Sequence, residues 1–114
     1  MEENKDQFEA ILTFVNTGFS DVVMDAARAE GARGGTVLNA RGTVDKQMAK
    51  KYGVAITPDK ELVIILVNKK IKEAVMTAIY KAAGLETEGH GIAFSIPVED
   101  VAGIKINDKH LDNK

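Results

Sequence analysis

The chain has 114 residues, 45% of them hydrophobic and 28% charged, with a formal net charge of -2. That balance fits a single folded domain and excludes a disordered chain. A slightly acidic surface with no Trp and few other aromatics offers nucleic acid neither charge nor stacking platforms, and the absence of Cys rules out disulfides and thiolate metal sites.

The first residues, MEENKDQ, are charged with no apolar run behind them, so no signal peptide is expected. Phe8–Val15 (FEAILTFV) is apolar and β-compatible and predicts a first strand. Asn16, Thr17 and Gly18 form a turn, after which Ser20 is the expected N-cap of a helix reaching Glu30, with Val23, Ala26, Ala27 and the stem of Glu30 turned inward. The glycine-rich stretch GARGG leads into a second strand, Thr36–Arg41. Thr43–Lys60, a locally basic stretch carrying Lys46, Lys50 and Lys51, is longer than most hairpin connections. It reads either as a solvated excursion or as a functional loop that meets a partner or ligand.

Leu62–Val67 (LVIILV) centres a third strand, Glu61–Val67, whose unbroken apolar run predicts burial on both faces or at an oligomer contact and is too short to span a bilayer. Asn68 caps a second helix over Lys69–Ala83, with Ile71, Val75, Ile79 and Ala82 at helical spacing and Gly84 as its stop. Ile92–Ile96 is a fourth strand closed by Pro97; Val98–Ile106 adds a short edge strand, and residues 107–114 form a polar tail. The order strand–helix–strand, twice over, predicts an α+β ferredoxin-like sandwich (βαββαβ), an antiparallel sheet with both helices on one face. Ala10, Leu12, Ile64 and Leu66 would then need cover on the other face, which a symmetric oligomer supplies. A soluble, cytoplasmic protein without membrane insertion is expected.

Between the second helix and the fourth strand, EGHGIAF brackets His90 with Gly89 and Gly91. Side-chain-free backbone of this kind can present N–H groups to an anion, although many glycine loops serve turn geometry alone. Four stretches, FEAIL, GGTVLNARG, KEAVMTAIYKAAG and EGHGIAFSIPVEDV, resemble the PII nitrogen-regulatory signal proteins from about Glu9 to Lys105. The resemblance implies a trimer that binds an adenine nucleotide in clefts between subunits and signals through the long loop, here Thr43–Lys60, to a target protein. It carries nucleotide contacts over to Thr36 and Leu66 on the base side, Gly42 at the foot of the long loop, Gly89, His90 and Gly91 at the phosphates, and Lys105 reaching in from the adjoining subunit. By residue type alone Thr36 is an ordinary strand residue, Gly42 a strand terminator, Leu66 core and Lys105 a solvated lysine.

Departures from the family pattern shape the expectation. The lysine that follows the family's Gly-acid-Gly loop is replaced by Ile92, a second basic position by Gly103, and the loop's acid by His90. Two lost cationic contacts favour ADP or AMP over ATP. The stretch after Gly42 lacks the glutamine pattern of members that sense 2-oxoglutarate, Lys60 falls near the lysine those members use, and Tyr52 lacks the setting of their uridylylated segment; neither activity is expected. His90 and His110 are too few for a zinc site, Glu99 and Asp100 point opposite ways along an extended segment, and an RNA-binding sheet would need more aromatics. No enzyme activity is expected. The alternatives are an interaction module without nucleotide binding, and a slow nucleotide hydrolase using His90 with Glu86 or Glu88.

Overall fold

The computed structural model describes residues 7–43, 47, 50–51 and 58–103. Most of the 43–60 loop, Lys105 and the 107–114 tail therefore lie outside the described residues. The elements run β1 (Phe8–Asn16), α1 (Ser20–Ala29), β2 (Gly35–Arg41), β3 (Asp59–Asn68), α2 (Lys69–Ala83) and β4 (Ile92–Val98). They build an antiparallel sheet in the order β2-β3-β1-β4. That is the expected ferredoxin-like α+β arrangement, with β3 inserted between β1 and β2.

Burial alternates strictly along β1. In β1 the odd residues Ile11, Thr13 and Val15 are buried; register sets Ile11 beside Ile65 and Thr13 beside Val63 of β3, and Val67, opposite Glu9, is buried on the same face. This face packs against α1 through Val23, Met24 and Ala27, and against α2 through Val75, Ile79 and Ala83. No helix among the described residues is long and apolar enough to cross a membrane.

Several local expectations are corrected. Ser20 is the first helical residue rather than the cap. Phe19 occupies the cap position, where its side chain has no group that could accept a hydrogen bond, and its N–H turns back to the Asn16 carbonyl at 3.1 Å. Met24 replaces Ala26 and Glu30 in the inward stripe of α1, and Ala83 replaces Ala82 in that of α2, where burial follows a four-residue ridge from Val75. β3 begins at Asp59, and within one chain it is not buried on both faces, since Leu66 remains 37% exposed; of the two expectations for this strand, that leaves the oligomer contact. β4 runs through Pro97 to Val98; as an outer strand with one neighbour it tolerates a proline whose missing N–H faces away. Residues 99–103 form no further strand, and the rest of the expected Val98–Ile106 strand lies outside the described residues.

Candidate functional site

The candidates belong to two groups on one sheet. Thr36 pairs with Ile64, and Leu66 follows Ile64 on the same face, the one away from the helices. Gly42 lies past the far end of β2, where its N–H donates to the Pro58 carbonyl at 2.7 Å. Six residues of extended chain separate Thr36 from Gly42, about 20 Å. The ends of β1 and β2 and the starts of β3 and β4 share Gly42's end of the sheet, as the pairings Asn16↔Lys60, Ala40↔Lys60 and Phe14↔Ile92 require. The turn carrying Gly89, His90 and Gly91 is held to that same end by the Asn16 N–H, which donates to the Gly89 carbonyl at 2.9 Å. Within one chain, then, Gly42 and the Gly89–Gly91 turn share an end, while Thr36 and Leu66 stand toward the other.

The turn itself is built from the C-terminus of α2. Thr87 N–H and its hydroxyl both donate to the Gly84 carbonyl, at 2.9 and 2.8 Å, which folds the chain back. The amides of Gly89, His90 and Gly91 donate inside the chain: Gly89 N–H to Thr87 Oγ1 at 3.2 Å, His90 N–H to the Thr87 carbonyl at 3.0 Å, and Gly91 N–H to the Ala83 carbonyl at 2.6 Å. These three N–H groups therefore already have acceptors within the chain. The group that approaches Gly91 is the end of α2: a Cβ there would lie 2.3 Å from the Ala83 oxygen and 2.8 Å from Val15 Cγ1.

His90 is the residue of this turn in the left-handed region, with φ 47°. Its Nδ1 lies 2.9 Å from the Leu85 carbonyl oxygen. A carbonyl only accepts, so Nδ1 carries the hydrogen and the ring braces the turn rather than reaching outward. Ile92, where the resembled pattern has a lysine, is 54% exposed on the open face. Among the described residues no group of His, Asp or Glu could hold a metal. A depression of about 350 Å³ touches Gly91 from the helix side but is lined by Met76, Ile79, Tyr80 and Ala93, an apolar wall unsuited to phosphate.

Two residues of this end escaped the sequence reading. In the sequence Asn16 reads only as a turn residue and Lys60 only as a position near a family lysine, yet Lys60 Nζ donates to Asn16 Oδ1 at 2.6 Å. An Asn and a Lys separated by more than forty positions give no local signal; only the β1–β3 register brings them together.

Fold and sites together define a small ferredoxin-like domain with one helix-covered and one open apolar sheet face, and with candidate ligand groups divided between its two ends. A model of the nitrogen regulatory protein P-II family matches residues 9–108, and the chain belongs to that family of signal-transduction proteins. Among solved structures it is similar to Arabidopsis thaliana PII bound to citrate, with 26% sequence identity and a TM-score of 0.65 over 88% of this chain and 82% of that one. A Bacillus cereus protein related to NIF3 shares the fold at 14% identity and a TM-score of 0.66, over 84% of this chain but 26% of that protein's length. No curated protein matches the sequence significantly.

Proposed function

We propose that the chain is a non-enzymatic, cytoplasmic signal protein that assembles as a homotrimer, binds an adenine nucleotide between subunits, and regulates a target protein through the 43–60 loop. The role in nitrogen metabolism or transport comes from the family alone. The observation that carries the reading is the division of the candidates across about 20 Å of one sheet. A nucleotide touching both groups needs two copies of the chain, and the open apolar face gives those copies a reason to associate. In this reading Thr36 and Leu66 of one copy meet the base, with Lys105 reaching the phosphates. Gly42, Gly89, His90 and Gly91 of its neighbour line the sugar and phosphate side.

The committed amides sharpen the ligand preference. A phosphate meeting the turn must displace an internal acceptor, and Ile92 and Gly103 supply no cation, each such contact being worth roughly 1.5–3 kcal/mol. Affinity is therefore expected not to rise from AMP or ADP to ATP. Thermal shift with AMP, ADP, ATP, cyclic AMP and cyclic di-AMP tests this: AMP and ADP raise Tm, and ATP does so no further than ADP. A folded trimer indifferent to every nucleotide sinks the proposal.

The same hydrogen bonds favour one second reading, an interaction module that has lost nucleotide binding and acts through its loop. Capture of the same partner with and without ADP separates the two, because only the first predicts a difference.

A further inference from the structure

Asn16 closes β1 with each of its polar groups engaged. Its backbone N–H donates to the Gly89 carbonyl at 2.9 Å, and its own carbonyl accepts from the Phe19 N–H at 3.1 Å, at the entry to α1. Its side-chain Nδ2 donates to the Glu88 carbonyl at 3.0 Å, while Oδ1 accepts from Lys60 Nζ at 2.6 Å. Lys60 in turn covers Gly42, where an added Cβ would lie 3.3 Å from both Cγ and Cε of the lysine. Gly42 and Lys60 flank the segment between β2 and β3. One ammonium and one carboxamide thus connect the foot of that segment to the turn before β4.

A carboxamide is planar, so its oxygen and nitrogen cannot reorient independently. A charge-assisted bond at Oδ1 fixes the plane and polarises the Nδ2 hydrogens toward Glu88, each bond strengthening the other. We infer that Asn16 is the positioning residue that couples Lys60, and with it the foot of the 43–60 segment, to the Gly84–Gly91 turn, so that displacing the Lys60 ammonium loosens that turn. The meaning of this coupling for signalling rests on the proposed function; the coupling itself does not.

Amide hydrogen exchange on the full-length chain without ligand tests it. Lys60→Met keeps the stem over Gly42 and removes the ammonium. It should speed exchange in residues 84–91 by roughly three- to ten-fold, the range of one ordinary hydrogen bond, while the centre of β1 keeps its protection. Asn16→Asp, which keeps the acceptor but loses the donor to Glu88, should speed the same turn. In an Asn16→Ala background, Lys60→Met should add nothing further. Unchanged exchange in 84–91 for Lys60→Met, or effects of the two substitutions that simply add, overturn the inference. Since no nucleotide is present, a flat thermal-shift panel would end the binding proposal and leave this result standing.

Discussion

A methyl group on Gly91 would lie 2.3 Å from the Ala83 carbonyl oxygen, and one on Gly89 no closer than 3.4 Å to anything. The first distance is a hard overlap in which helix end and strand start must part; the second is ordinary van der Waals contact. Gly91→Ala is accordingly expected to cost about 3 kcal/mol or more, since the Gly91 N–H bond to Ala83 breaks as the backbones separate. Gly89→Ala should change stability by less than about 1 kcal/mol, because no conformation is lost and the unfolded chain becomes less free. Urea denaturation of the two variants checks the contrast. Equal effects would mean that the two glycines serve one purpose, contrary to the packing. Gly89→Ala is also the cleaner probe of the proposed phosphate contact, being expected to leave the fold intact while narrowing the approach to the turn.

At the scale of elements, the two helix starts differ in a way that residue type alone conceals. Asn68 adopts the extended backbone of a cap, and its Oδ1 accepts from Lys70 N–H at 2.8 Å. Ser20 is already helical, and the cap residue before it, Phe19, makes no side-chain bond. Asn68→Ala should therefore lower stability by about 1 kcal/mol, whereas Ser20→Ala should stay within about 0.5 kcal/mol of the parent, both read from denaturant midpoints. Helix existence was readable from spacing and stop signals, and so were the four main strands, because periodicity is a local property. Which residue caps α1 was not, since the turn through Asn16 and Phe19 decides it. The reach of β4 through Pro97 was hidden as well: only its place at the sheet edge makes that proline acceptable. The glycines of the Gly89–Gly91 turn were visible in the sequence, but their purpose was not. Nothing local reveals that Ala83 and Val15 close in on Gly91.

For the whole molecule, the open face of the sheet dominates. Register aligns Leu12 with both Ile64 and Phe94, Ala10 with Leu66 and Ile96, and Phe14 with Ile92 and Leu62. Phe94 also stacks obliquely on Phe14, with ring centroids 6.3 Å apart. Leu38, Leu66, Ile92, Phe94 and Ile96 on this face remain 37–54% exposed, whereas Ile11, Thr13, Val15, Val63, Ile65 and Val67 on the opposite face of the two central strands are buried. A contiguous apolar surface of this kind marks an interaction site, and in the proposed trimer a closed ring of three copies would cover it without any further partner. Phe94→Lys places a charge in the middle of that surface, where burial without a counter-ion costs several kcal/mol. Within one chain the same lysine reaches water freely. Sedimentation velocity should therefore show the parent as a trimer and Phe94→Lys as a folded monomer with unchanged helical circular dichroism. Its thermal response to ADP should vanish, because the proposed site needs Thr36 and Leu66 of one copy beside Gly42 and the Gly89–Gly91 turn of another. A monomeric parent, or a monomeric variant that still responds to ADP, would remove the physical basis for a site shared between subunits.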